Sequence, residues 1–200
     1  MSAPGAGFVY LASASPRRCE LLRQLGVEFR VLTPAVDERM QPGEPAEAYV
    51  QRLAASKARA VWDRLNAADR APVLGADTTV VADGKVLGKP ADRDEAVRML
   101  GCLSGVTHVV LTGIALLDGR GVQRRCSRSE VTFRSIDAAE AFAYWDTGEP
   151  CDKAGGYAIQ GFGASFVQHL SGSFSGVMGL PLFETAALLR EARVPIWRRV

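Results

Sequence analysis

A chain of 200 residues, 48% hydrophobic and 23% charged, is long enough to bury a real core and too apolar to be disordered or fibrous. Its 24 Lys and Arg against 22 Asp and Glu leave a net charge of +2, so no global basic field argues for wrapping nucleic acid or a membrane surface, and any anion site must be local. Only four of the 24 cations are lysines, Lys57, Lys85, Lys89 and Lys153, which marks them as positions where a compact ammonium is preferred to a guanidinium fork.

In chain order, short β-branched runs alternate with helical periods, the pattern of an α/β sheet flanked by helices. The first six residues read as a disordered extension, and the N-terminus lacks the basic and apolar regions of a signal peptide. Phe8 to Ala12 is a predicted strand. Ser15-Pro16 then gives an N-cap and a first-turn proline for a helix through Leu21, Leu22 and Leu25 that stops at Gly26. Phe29 to Thr33 is a second strand, and Pro34 to Pro45 a loop carrying Asp37 and Glu38. A long helix opens at Pro45 and ends near Asn66.

Val73 to Ala76 reads as a short buried strand delivering Asp77 at its tip, followed by a hairpin of Thr78 to Val81 and Val86-Leu87 around Asp83-Gly84. Asp92 to Leu103 is a helix, Val106 to Leu117 and Val122 to Phe133 are long strands, and Asp137 to Trp145 and Pro181 to Arg193 are further helices. Between the last two, residues 148–179 contain eight glycines among 32 positions. Interleaved Tyr157, Ile159, Phe162, Phe166, Val167 and Phe174 favour a folded, ligand-lining segment there over a linker.

The four cysteines show neither CxxC spacing nor histidine partners at zinc-ligand offsets, and read as reduced thiols of a soluble cytoplasmic protein. The chain has no GxxxxGK[ST] loop, no GxGxxG, no GxSxG and no HExxH. Of the two histidines, His108 lies in an apolar strand and reads as a satisfied packing residue, and His169 is as readily structural.

Positive signals remain at three places. Ser13 to Arg18 joins a strand to a helix N-terminus, where unpaired amides, two hydroxyls and two arginines can hold an anion; a plain helix cap with solvated arginines explains the same spacing. Asp77 at a strand tip is placed to hold a cation or a water, although an isolated aspartate there is more often an Asx turn. Lys57, Lys89 and Lys153, each unremarkable alone, form with Arg17 and Arg18 a set of cations opposite the carboxylates Glu38 and Asp77. Polyphosphate chemistry with a divalent metal needs that pairing.

At these residues the sequence resembles the Maf-like nucleoside triphosphate pyrophosphatases. The similar stretches are Leu11 to Arg18 with Glu20-Leu21-Leu22, Leu53-Ala54 with Lys57-Ala58, Gly75 to Thr78, Gly88-Lys89-Pro90, Met99 to His108, Glu149 to Gly161 and Gly179 to Leu182, in order over nearly the whole chain. The resemblance implies a single domain over residues 1–200, with an elongated, mixed, twisted sheet and a deep nucleotide-binding cleft. It implies hydrolysis of a nucleoside triphosphate to the monophosphate and pyrophosphate with Mg²⁺ or Mn²⁺.

By the same resemblance Asp77 is the proton acceptor, acting with Lys89 and Glu38. Asp77 and Glu38 hold the metal, Ser13, Arg18 and Lys57 bind phosphate, and Arg17, Thr78 and Gln160 mark the dTTP/UTP branch rather than the 7-methyl-GTP branch. The chain departs from that pattern at Phe174 and Gly176, where relatives often carry tyrosine and a larger polar residue. The implied partner is a small nucleotide, with no nucleic acid and no membrane, and a homodimer is compatible with the pattern. The competing reading is a nucleotide-binding regulator of cell division and septum formation in which hydrolysis is incidental.

Overall fold

The computed structural model describes residues 7–198; the expected extension at residues 1–6 lies outside them. Seven strands form one open mixed sheet: β1 (Val9–Ala12), β2 (Phe29–Val31), β3 (Val73–Ala82), β4 (Lys85–Leu87), β5 (Thr107–Asp118), β6 (Gly121–Phe133) and β7 (Val167–Ser171). They run in the order β2-β1-β3-β5-β6-β7, with β4 paired to β3. Six helices flank it: α1 (Pro16–Gln24), α2 (Ala46–Trp62), α3 (Arg93–Leu103), α4 (Ala138–Asp146), α5 (Phe174–Met178) and α6 (Leu182–Glu191). Internal contacts divide the described residues into two compact units, one of residues 7–77, 112–127 and 179–198, the other of residues 78–111 and 128–178.

In the first unit β1 pairs in parallel with β2 on one side and with β3 on the other. The helix after β1 opens where the sequence places it, with Pro16 at its first position and Ser15 extended, but the Ser15 side chain makes no cap bond. Instead the Ser15 amide donates to Ser13 Oγ at 3.2 Å. The helix closes with a Schellman pair, Gly26 N to Arg23 O at 2.8 Å and Val27 N to Leu22 O at 3.3 Å, with Leu22 and Val27 both buried. Helix α2 ends at Trp62, four residues short of expectation, and its C-terminal turn is completed by bonds within residues 59–65.

Helix α2 lies against the sheet with its backbone almost touching two strands. A Cβ on Gly75 would fall inside the radius of the Ala54 carbonyl oxygen and 2.9 Å from Ala58 N, and one on Gly113 would lie 2.6 Å from the Val50 carbonyl. Val50, Ala54 and Ala58 recur every four residues, so all three face the sheet, and all are fully buried. The Gly75→Ala variant is therefore expected to lose ~1–3 kcal/mol of stability, because backbone rather than a flexible side chain must give way. A urea unfolding curve checks this.

In the second unit Asp83 and Gly84 both adopt left-handed φ, 48° and 70°, closing the expected two-residue hairpin between β3 and β4. Helix α3 is capped by Asp92, which accepts from Glu95 N at 2.8 Å, and α4 by a reciprocal box of Asp137 and Glu140. The glycine-dense stretch is folded, as its aromatics suggest: three short 3-10 turns (Glu149–Asp152, Ala154–Gly156, Phe162–Phe166), then β7 and α5. Its core is aromatic. Phe133 meets the His108 ring at 4.8 Å and the Tyr157 ring at 4.7 Å, and Tyr144 meets Phe166 at 5.0 Å.

His108 is 1% exposed and only half satisfied: Nε2 shares a 2.8 Å hydrogen bond with the Tyr157 hydroxyl, whereas Nδ1 is buried without a partner. Burial lowers its pKa from 6.5 to about 4. A depressed folded pKa means that the unfolded chain binds the proton more readily, so the stability owed to neutral His108 is complete above pH 6.5 and is lost as pH falls toward 4. The loss amounts to ~3 kcal/mol. Between pH 7 and 4 the His108→Gln variant, followed by chemical denaturation, is expected to lose less stability than the parent chain. His169, by contrast, is exposed on β7 opposite Thr132.

Candidate active site

Asp77 does not sit at the tip of its strand. β3 runs unbroken from Val73 to Ala82, because β1 supports its first half and β4 its second. The strand that ends is β1, whose last residue, Ala12, pairs with Gly75. Asp77 thus emerges two residues past the point where its neighbour stops, beside Ser13. The chain leaving β1 turns to β2 on one edge while β3 lies on the other, so the carboxyl end of β1 is the kind of switch point at which open α/β sheets bind ligands.

Strand alternation puts Gly75 and Asp77 on the same face, the face that α2 covers. The close approach at Gly75 therefore also fixes how near α2 comes to Asp77. Lys57, one turn beyond Ala54 on that helix, reaches across: its Nζ lies 2.7 Å from Asp77 Oδ1 and 2.7 Å from Glu38 Oε1. Lys57 and Asp77 are each 8% exposed. Glu38 comes from the Pro/Gly-rich loop, with half its side chain in solvent, and the Tyr49 hydroxyl anchors its backbone by donating to the Glu38 carbonyl at 2.9 Å.

Opposite stands Arg18, on the first turns of α1. Its Nε donates to the Gly179 carbonyl at 2.9 Å and its Nη1 to Ser13 Oγ at 3.1 Å. Burial lowers the Arg18 pKa, with the charges of Asp77 and Glu38 acting in the opposite direction. Asp77 is shifted upward: loss of water raises its pKa, and Lys57 and Arg18 offset that only in part. The cluster combines a buried carboxylate, two cations, a hydroxyl and the amide-rich start of a helix.

Five of the residues singled out from sequence, Ser13, Arg18, Glu38, Lys57 and Asp77, belong to this one unit and form this cluster, with Arg17 half-buried beside Arg18. Thr78 directly follows Asp77 in β3. Lys89, Lys153 and Gln160 belong to the second unit, where Gly155 N donates to Gly88 O at 2.9 Å and so ties the turn before Lys89 to the segment after Lys153. Lys153 is paired with its neighbour Asp152. Lys85 is an exposed hairpin residue, as its place beside Asp83-Gly84 implied.

Sequence reasoning missed Tyr49, whose place one turn into α2 under the loop carrying Glu38 was its only signal. It also gave no role to Tyr144 and Glu149, which bond to each other and to backbone amides that leave no side-chain pattern.

For a cation the available donors are hard oxygens. Among the described residues no three His, Cys, Asp or Glu gather at one point, and the two carboxylates Asp77 and Glu38 converge on a single cationic centre, the Lys57 ammonium. This donor set fits Mg²⁺ or Mn²⁺, which bind proteins through one or two carboxylates and take their other ligands from water and substrate phosphate.

The fold and cluster define an α/β protein with a buried carboxylate–lysine pair, an arginine and a helix start gathered at the end of its first strand. The chain belongs to the Maf-like protein family, whose profile matches residues 8–192. Similar chains include the dTTP/UTP pyrophosphatase of Alkalilimnicola ehrlichii, 53% identical with 95% of each chain covered, and that of Burkholderia orbicola, 53% identical with 93% of each covered. The dTTP/UTP pyrophosphatase of Hahella chejuensis is 48% identical over 97% of this chain and 96% of its own.

Proposed function

We propose that this protein is a nucleoside triphosphate pyrophosphatase that hydrolyses dTTP and UTP to the nucleoside monophosphate and pyrophosphate with a divalent cation. The observation that carries the reading is the buried Lys57 bridging Asp77 and Glu38 beside Arg18 and Ser13. The names of the relatives support the same activity. In this reading Ser13, Arg18 and the first amides of α1 hold phosphate oxygens, and Asp77 takes a proton from the water that attacks the α-phosphorus. The bond from that phosphorus to the bridging oxygen breaks, and its electron pair leaves on pyrophosphate.

Lys57 and Lys89 neutralise the charge that develops on the phosphate oxygens. The upward shift of Asp77 suits the role, since a more basic carboxylate accepts a proton more readily. Asp77 and Glu38 would hold the metal, which supplies further neutralisation of phosphate charge when bound. Arg17, Thr78 and Gln160 read the pyrimidine base. The Gln160 carboxamide offers both a donor and an acceptor, matching the carbonyl and N–H edge of thymine or uracil.

Among the described residues no helix is long and apolar enough to cross a membrane. Product analysis tests the activity. Purified protein with Mg²⁺ and dTTP is expected to release dTMP and pyrophosphate, with turnover abolished by a chelator and restored by Mg²⁺ or Mn²⁺. Release of orthophosphate, or binding of nucleotide without turnover, would overturn the reading in favour of other phosphoryl chemistry or of a regulator.

A further inference from the structure

The segment that carries Gln160 is pinned at both ends by two side chains outside the catalytic cluster. On one side, the Tyr144 hydroxyl accepts a hydrogen bond from Ala158 N at 3.1 Å. On the other, the Glu149 carboxylate accepts from Phe162 N at 2.9 Å through Oε2 and from Gly163 N at 2.9 Å through Oε1. The two anchors are joined, because the Tyr144 hydroxyl donates to Glu149 Oε1 at 2.7 Å. Between them Gln160 is exposed, while Ala158 and Ile159 before it are buried.

Two glycines exist to admit this bracket. A Cβ on Gly161, where φ is +128°, would lie 2.8 Å from Glu149 Cδ, and a Cβ on Gly163 would lie 2.6 Å from the Tyr144 hydroxyl. Without side chains at 161 and 163 the carboxylate reaches the amides directly, and a charged acceptor binds amides more tightly than a neutral one. Burial would raise the Glu149 pKa, yet the Tyr144 hydroxyl and the Gly163 and Phe162 amides hold it below its usual value, so the bracket is ionised at neutral pH.

From this geometry we infer that Glu149, with Tyr144 behind it, is the positioning residue for Gln160, setting base discrimination without touching the reacting phosphate. The inference rests on the proposed role of Gln160 in base recognition. A carboxamide reads a base edge only if its donor and acceptor arrive in a fixed order. In a free glycine-rich loop it would present either order. With the backbone held at residues 158, 162 and 163, the side chain starts from one place and one direction.

The test compares kcat and KM for dTTP and dCTP in the parent enzyme, Glu149→Gln, Tyr144→Phe, Gln160→Ala and the Glu149→Gln/Gln160→Ala double variant. Hydrogen exchange at the amides of 158, 162 and 163 is measured alongside. In Glu149→Gln one of the two amides faces an NH₂ group instead of an acceptor. The expected result is an about tenfold or larger fall in the dTTP preference, carried by KM rather than kcat, with faster exchange at 162 and 163. Tyr144→Phe should do the same more mildly, exposing 158. Because Glu149 acts through Gln160, the double variant should discriminate no worse than Gln160→Ala alone.

A parent enzyme that prefers dTTP while Glu149→Gln and Tyr144→Phe keep that preference overturns the inference and leaves the proposed activity standing. So does a fall in kcat and melting temperature with an unchanged ratio. Should Glu149→Gln fail to fold, Tyr144→Phe decides alone. A parent enzyme that hydrolyses neither dTTP nor UTP removes the activity itself, and this inference with it.

Discussion

Asp77→Asn is expected to reduce turnover of dTTP by ~10²–10⁴-fold while the protein stays folded with an unchanged or higher melting temperature. The two halves of this expectation have one cause. Asp77 is 8% exposed, and the removal of water from its carboxylate outweighs the attraction of Lys57 and Arg18, so its folded pKa lies above the ordinary 3.8. A folded pKa that is raised means a stabilising contribution present at low pH and lost as pH rises through that value. At neutral pH the ionised aspartate therefore costs stability, and a neutral amide of the same shape relieves the cost without stranding Lys57, whose ammonium keeps the Glu38 carboxylate 2.7 Å away. Steady-state kinetics and a melting curve on the same sample check both. Near-parental turnover would remove Asp77 from the proton-accepting role.

Lys57→Met should act on stability in the opposite way. It keeps the length and apolar stem of the side chain but leaves two carboxylates facing each other without the ammonium that lies 2.7 Å from both. Breaking a buried pair by removing one partner strands a desolvated charge, at a cost of ~3–5 kcal/mol. For a chain of this size that is ~6–20 °C in melting temperature. Activity should be lost as well. The Lys57→Met/Asp77→Asn double variant, which removes the stranded charge, should regain more than half of the lost stability. If the double variant is no better than the single, packing rather than charge governs the site.

Much of the fold was legible because its signals are local. Gly26 and Asp83-Gly84 each act within a few residues, and the helix stop and the hairpin stand where the sequence places them, while the helix expected from Asp92 begins one residue later with Asp92 as its cap. The position of Asp77 in its strand was not legible. A strand ends where its pairing ends, and β3 continues because β4 takes over from β1, which is a matter of partners rather than of composition. Strand β7 and helix α5 were hidden in the glycine-dense stretch for the same reason.

The cluster at the end of β1 could be read because Ser13, Arg18, Lys57 and Asp77 are polar residues set within or just beside apolar elements, which is itself a chemical signal. The bracket formed by Tyr144 and Glu149 could not, since its other members are amides that every residue possesses.

The seating of α2 has a further consequence. Because Gly75 and Gly113 let that helix rest backbone on backbone, its distance from the sheet is set by the peptide chain and not by the sizes of neighbouring side chains. Hydrophobic residues elsewhere in the core can be exchanged for others of different volume without lifting the Lys57 ammonium away from Asp77. The site is thereby insulated from the drift of the core around it. Tolerance to change should be wide among the apolar residues that surround α2 and narrow at two glycines that take no part in the chemistry.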